Sequence, residues 1–132
     1  MCAHTAQLEG IPGISLSVYD ESQQCNYQYV TLEVDERHAG LSRDELVTVL
    51  QSENILARRY FYPGCHNMEP YKSFFPNAHL VLPETTELAR RILVLPTGTA
   101  VGEAEVSTIC QIIQTATDNA TAARNTLSAE TK

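Results

Sequence analysis

Ala57-Arg58-Arg59-Tyr60-Phe61-Tyr62-Pro63-Gly64-Cys65-His66-Asn67-Met68-Glu69-Pro70-Tyr71 runs from a strand into a loop, and the rest of the chain is arranged around that break. The stretch holds two arginines, four aromatic rings and one histidine. Its first half is rich in strand-forming aromatics, and Pro63-Gly64 stops the strand. A strand end that feeds a polar aromatic loop is a common way to place a binding site on a rigid scaffold. Alternation puts Arg58, Tyr60 and Tyr62 on one strand face, with Arg59 on the other, and a turn at Pro63-Gly64 can return His66 towards the first face. Arginine offers a planar fork to phosphate or carboxylate. Tyrosines stack on, or hydrogen-bond to, a flat or sugar ligand. His66 is a candidate proton-exchanging ring. The alternative is a packed aromatic cluster with solvated arginines and a surface loop histidine.

Upstream, Ile14-Ser15-Leu16-Ser17-Val18 alternates apolar and polar residues, as a half-buried strand does. Tyr27 to Val34 is a second strand, with Val30, Leu32 and Val34 on one face and Tyr27, Tyr29, Thr31 and Glu33 on the other. Tyr27 and Tyr29 either extend the aromatic surface or pack as ordinary sheet residues. Ser42-Arg43-Asp44-Glu45 reads as a capping box that opens a helix to about Glu53, with Asn54 suited to its end. Ile55 to Tyr62 is expected to be one strand.

Downstream, Lys72 to Leu82 reads as irregular. Pro83, Glu84 and Glu87 then start a helix to about Arg91. Ile92-Leu93-Val94-Leu95 is a buried strand ended by Pro96. The last helix opens at Glu103 and Glu105, with Val106, Ile109, Ile112, Ile113 and Ala116 on its apolar face. This order predicts an α+β two-layer sandwich: a small mixed or antiparallel sheet with helices on one face. Residues 1–117 are expected to form the domain, and residues 118–132 a polar, frayed tail.

The bulk properties exclude several classes. A chain of 132 residues suits one domain, and 43% apolar with 19% charged residues suits a globular one. A net charge of −7 argues against nonspecific nucleic-acid binding. No apolar run approaches the roughly 20 residues that span a bilayer, so no membrane partner is expected. The N-terminus has no basic region followed by an apolar one, so no signal peptide is read. Cys2, Cys25, Cys65 and Cys110 are far apart, which favours a reduced, cytoplasmic setting over a disulfide framework. His4, His38, His66 and His79 do not have metal-ligand spacing, so no metal is expected. Cys65 and His66 are adjacent but lack a third orienting partner, which makes them a weak nucleophile pair.

Four pieces in order carry a resemblance. Arg58 to Tyr71, Asn26-Tyr27-Gln28-Tyr29-Val30, Leu41-Ser42-Arg43-Asp44-Glu45-Leu46 and Leu88-Ala89-Arg90-Arg91-Ile92-Leu93-Val94-Leu95-Pro96 resemble the DegT/DnrJ/StrS family of sugar aminotransferases. Gly64-Cys65 stands where many members have Pro-Leu. The resemblance covers roughly residues 8–116 and is confined to the C-terminal small domain of these pyridoxal-phosphate proteins of fold type I. It implies that Arg58, Tyr60, Tyr62 and His66 line the nucleotide-sugar side of an active site. It also implies that the Schiff-base lysine, the aspartate at the pyridine nitrogen and most of the phosphate cup belong to a large domain. Lys72 and Lys132 are the lysines here, and neither has a cofactor-binding context. The expectation is therefore a small domain that binds no pyridoxal phosphate by itself, has no catalytic residue of its own and holds a nucleotide sugar only weakly. Its expected partner is an aminotransferase large domain or a second copy, and the alternative is a binding or regulatory subunit that docks on a full-length aminotransferase.

Overall fold

The computed structural model describes residues 7–20, 22–24, 28–98 and 101–130. The readings that fall on Cys2, His4, Cys25, Asn26, Tyr27 and Lys132 lie outside the described residues. Four strands, β1 (Ile14–Leu16), β2 (Val30–Val34), β3 (Arg58–Arg59) and β4 (Ile92–Leu95), form one sheet in the order β1-β2-β4-β3. Every neighbouring pair is antiparallel, so of the two expected sheet types it is the antiparallel one.

The pleat sorts the sheet as the sequence alternates. Leu32 of β2 pairs with Leu93 of β4, and Val30 pairs with Leu95. All four are buried, together with Val34. They pack against α2 (Arg43–Ser52), through Leu46, Val47 and Leu50, and α6 (Glu103–Asp118), through Val106, Ile109, Ile113 and Ala116. Ile112 is only partly buried, and Cys110 takes a place in the core that the periodicity did not give it. Burial pushes the Cys110 thiol up from its ordinary range. The other sheet face carries Thr31, Glu33, Ile92 and Val94, with Arg58 across from Val94.

Local signals fix the helix ends. Ser42 Oγ accepts from the Glu45 N–H at 3.2 Å, and the Ser42 N–H donates to Glu45 Oε2 at 2.7 Å, which completes the expected capping box. Asn54, just past α2, takes a positive φ of 60°. Pro83 opens α5 (Pro83–Arg91) at its first turn. Between β2 and α2 the expected loop contains one helical turn, α1 (Glu36–Ala39), capped by Asp35 and closed by Gly40 at φ 74°.

Three stretches differ from the sequence reading. Ile55 to Tyr62 supplies only two strand residues, because Ile55 N–H and Ala57 N–H bond back locally to Leu50 and Ile55 carbonyls and Phe61 has φ 43°. Lys72 to Leu82 contains two single helical turns, α3 (Tyr71–Phe74) and α4 (Ala78–Val81). The expected frayed tail is helical over α7 (Ala120–Glu130). Its small residues explain this: Ala120 and Ala123 fit against the core, and Arg124 reaches Glu45 at 2.7 Å and Glu36 at 3.2 Å. Among the described residues, no helix is long and apolar enough to cross a membrane.

Candidate functional site

Beyond β3 the chain folds over itself. The positive φ at Phe61 ends the pleat two residues before Pro63, and the Gly64 N–H closes the turn on the Phe61 carbonyl. Gly64 has φ 93°, which disfavours any side chain. Cys65–Asn67 is a single 3₁₀ turn, and Asn67 Nδ2 donates to the Pro63 carbonyl at 3.0 Å. The Gly64-Cys65 pair is thus held in a defined turn.

The fold-back forms one wall of an open cleft of about 690 Å³, and α5 with the start of β4 forms another. Tyr60, Phe61, His66, Phe75, Leu88 and Ile92 are among its lining residues. The Tyr60 ring meets Phe61 edge-on, with centroids 4.4 Å apart, and Tyr29 at 5.7 Å. Such pairs restrict how a ring can turn and leave its remaining surface to the cleft. His66 Nε2 lies 2.9 Å from Thr86 Oγ1 on α5 and 3.0 Å from Asn67 Nδ2. A small polar focus in a largely apolar cleft suits a flat ligand with a few polar edges.

The four residues singled out in the sequence divide into three groups. Tyr60 and His66 line the same cleft. Arg58 is exposed on the open sheet face next to it, outside the cleft lining. Tyr62 goes elsewhere: its ring lies under the guanidinium of Arg43, 4.8 Å from the centroid, and near that of Arg59 at 5.5 Å. The expected single face over Arg58, Tyr60 and Tyr62 is therefore not present. Alternation requires an unbroken pleat, and Phe61 reverses the chain between Tyr60 and Tyr62.

Arg43 is the residue that sequence reading underrated. It is only 2% exposed. Its Nη1 donates to the carbonyls of Ala89 at 3.0 Å and Ile92 at 2.9 Å, and its Nε donates to Asp44 at 2.8 Å. Among the described residues, Nη2 is buried with no hydrogen-bond partner, and the Tyr62 ring face lies over the guanidinium. Asp44 also accepts from Arg59 at 2.9 Å. Arg43 thus ties the start of α2 to the end of α5 and, through Tyr62, to the loop that carries His66. Phe75 and Leu88 line the cleft and Asn67 and Thr86 contact His66, and the sequence marked none of the four as a site residue. Thr86 sits on the α5 face turned to the loop, a relation visible only once the two are folded together.

No group of three or more His, Cys, Asp and Glu side chains comes together among the described residues. The described side chains do not fit pyridoxal phosphate either. Lys72, the lysine among them, is exposed on α3 and does not line the cleft, whose lining includes no carboxylate to face a pyridine nitrogen.

Known proteins are similar to this chain in sequence and in fold. The sequence model of the DegT/DnrJ/EryC1/StrS aminotransferase family matches residues 2–114. A dTDP-4-amino-4,6-dideoxy-D-glucose transaminase of Escherichia coli is 37% identical over 65 residues, which cover 49% of this chain and 17% of that protein. The enzyme of that name from Shigella dysenteriae is 40% identical over 65 residues, with the same shares of 49% and 17%. The crystal structure of DesI in the presence of its TDP-sugar product superposes with a TM-score of 0.83 at 34% identity, over 99% of this chain and 32% of that one. The chain thus spans about a third of the solved relative's length.

Proposed function

Because this chain belongs to the DegT/DnrJ/EryC1/StrS aminotransferase family, we propose that it supplies the substrate-side wall of a nucleotide-sugar aminotransferase site and does not transaminate by itself. The observation that carries this reading is the cleft in which Tyr60 and His66 meet, on a unit that superposes on a structure determined with a TDP-sugar. Tyr60 offers a ring face and a hydroxyl to sugar or base. His66 offers a polar edge in the same cleft. Arg58, exposed on the adjoining sheet face, reaches for phosphate oxygens. Tyr62 serves indirectly, by pinning the loop to Arg43.

The family is pyridoxal-phosphate dependent, and that cofactor supplies the chemistry of amino-group transfer when bound. In this reading the cofactor's lysine and ring-nitrogen partner come from a large domain, in the same chain or another. A reduced, cytoplasmic setting belongs to the same reading; Cys65 and Cys110 are free thiols.

The test is an NMR titration of the chain with dTDP-4-amino-4,6-dideoxy-D-glucose. One wall of a pocket gives weak binding, with Kd about millimolar, near ~−4 kcal/mol. Shifts are expected at Tyr60, Phe61 and His66, and Arg58→Ala should weaken them. Shifts confined to other parts of the chain, or unchanged in Arg58→Ala, reject the site. A long-wavelength absorption band after adding pyridoxal phosphate, abolished by Lys72→Ala, rejects the statement that the chain lacks its own cofactor site.

A second reading is supported by the surface around the cleft. Phe74 is 72% exposed, Phe75 65%, Leu80 69% and Val81 78%. Such a run of exposed apolar side chains marks a docking surface. It suits an aminotransferase large domain, a full-length aminotransferase or a second copy of this chain.

A further inference from the structure

Between α6 and α7 the helix is interrupted without a residue that breaks helices. Thr117-Asp118-Asn119-Ala120-Thr121 contains no glycine and no proline, and Asn119 alone separates the two helices. Its ψ of 33° lies roughly 75° from the helical value, so the axis turns there. The Asn119 N–H and Nδ2 both donate to the Thr115 carbonyl, at 3.1 and 2.9 Å. The next bond along the chain runs from the Ala123 N–H to the Asn119 carbonyl at 2.9 Å. Among the described residues, the N–H groups of Ala120, Thr121 and Ala122 have no backbone partner, as the first donors of a new helix do not. One straight helix would pair them with the carbonyls of Ala116, Thr117 and Asp118.

What holds the bend is the seat of α7. Ala120 and Ala123 pack against the core. Ala120 approaches Gly40 so closely that a Cβ added to the glycine would lie 2.8 Å from the alanine Cβ. Arg124 donates to Glu45 at 2.7 Å and to Glu36 at 3.2 Å. These contacts are small beside those of α2 and α6, which bury Leu46, Leu50, Ile109 and Ile113. An element held in this way opens before the rest of the molecule. Once open, α7 regains the three backbone bonds by continuing α6, and a helix from residue 103 to residue 130 is about 42 Å long. That straight helix carries Arg124 away from its own Glu45 and leaves the seat beside Gly40 vacant.

The geometry points to exchange of α7 between two copies of this chain. Each copy straightens at Asn119, and α7 of each takes the seat beside Gly40, Glu45 and Glu36 of the other. The occupant is a second copy because this helix already matches the seat in shape and charge, with an alanine against a glycine and one arginine between two carboxylates. Monomer and exchanged dimer make the same seat contacts, so the hinge and the chain concentration decide between them. A hinge of one residue favours exchange, and the exchanged form gains three backbone bonds in each copy. None of these residues lines the cleft.

The test uses the full chain carrying Phe74→Glu, so that contacts through the apolar rim do not contribute. Sedimentation velocity across a concentration series should show a dimer. Adding Asn119→Ala should raise the dimerisation constant about tenfold, roughly threefold from the helix propensity at each of two hinges. Adding Thr121→Pro, at an exposed position, should abolish the dimer and leave a monomer folded by circular dichroism. Proline is tolerated in the first turn of α7 but clashes with the Thr117 carbonyl in a straight helix. In a dimer of one ¹³C-labelled and one unlabelled chain, the Ala120 methyl of one copy should give an NMR cross-peak to Gly40 of the other. A monomer at every concentration, with and without Asn119→Ala, overturns the proposal. So does a dimer that survives Thr121→Pro, or one in which every Ala120–Gly40 cross-peak arises within a single chain. If Thr121→Pro does not fold, the cross-peak decides alone.

Discussion

Replacing Arg43 tests whether the loop of the candidate site is held from behind. The side chain is 2% exposed and donates to two carbonyls, Ala89 and Ile92, as well as to Asp44. Ala89 lies in the last turn of α5, where carbonyls lack intrahelical partners. Arg43→Met keeps the volume of the stem but leaves both carbonyls without the guanidinium. Each lost charge-assisted bond is worth roughly 1.5–3 kcal/mol. The stacking on Tyr62 adds about 1 kcal/mol or more at a desolvated site. Against this stands relief of a buried charge with one unpartnered nitrogen, worth a few kcal/mol in the other direction. The balance is a net destabilisation of about 2–3 kcal/mol, because carbonyls left behind cannot be neutralised as a paired acid can. In a chain of 132 residues that lowers Tm by roughly 5–15 °C. Urea unfolding followed by circular dichroism gives the free energy, and Tyr60 and His66 resonances report the loop. A Met variant within about 0.5 kcal/mol of wild type, with those resonances unmoved, would refute the assignment of Arg43 as the tie between α2, α5 and the loop.

Two further outcomes are expected. The Arg124 guanidinium, with the Ser42 N–H, holds the Glu45 carboxyl down to about 2 from its ordinary 4.5. A depressed folded-state value means that this stability is present above the unfolded value and is lost as pH falls from about 4.5 towards about 2. Thermal melts across that window should show a decline that Glu45→Gln flattens; equal slopes in the two proteins reject the link between α2 and α7. The exposed apolar rim should make sedimentation depend on concentration, and Phe74→Glu should reduce that dependence. A wild-type chain that sediments as a monomer at every concentration rules out a second copy as the partner of this surface.

Local physics made much of the fold legible. The Ser42 to Glu45 capping box, Pro83 at the start of α5 and the alternation of Val30, Leu32 and Val34 each depend on residues within one turn or one pleat. Two of the failures are non-local. Arg124 stabilises α7 through carboxylates 79 and 88 positions away, so a composition of small polar residues read alone as a fraying end. Tyr62 is drawn off the expected face by Arg43, and no spacing rule connects those two positions. Tyr60 and His66 were legible as partners because the break between them is short and carries its own signal, Pro63-Gly64. Arg58 kept the face that alternation gives it, yet the cleft formed beside that face and not on it.

The division of the aromatic stretch explains how a half-pocket can be stiff. Phe61 turns the chain so that Tyr62 is spent on Arg43 and Arg59, while Tyr60 and Phe61 itself remain for the cleft. Rigidity therefore comes from the side of the core, and the opposite side stays open. A site that buries most of a small ligand needs walls on several sides. Here they come from the loop, the short helical turns and α5, and the rim beyond them is apolar and uncovered. In the proposed reading, a partner that covers that rim completes the enclosure and adds desolvated contacts to the same ligand. By linkage, a cover that tightens the ligand by a given factor is itself tightened by the ligand by the same factor. The two proposed properties of this chain, weak ligand binding and partner docking, are on that argument one property measured from two sides.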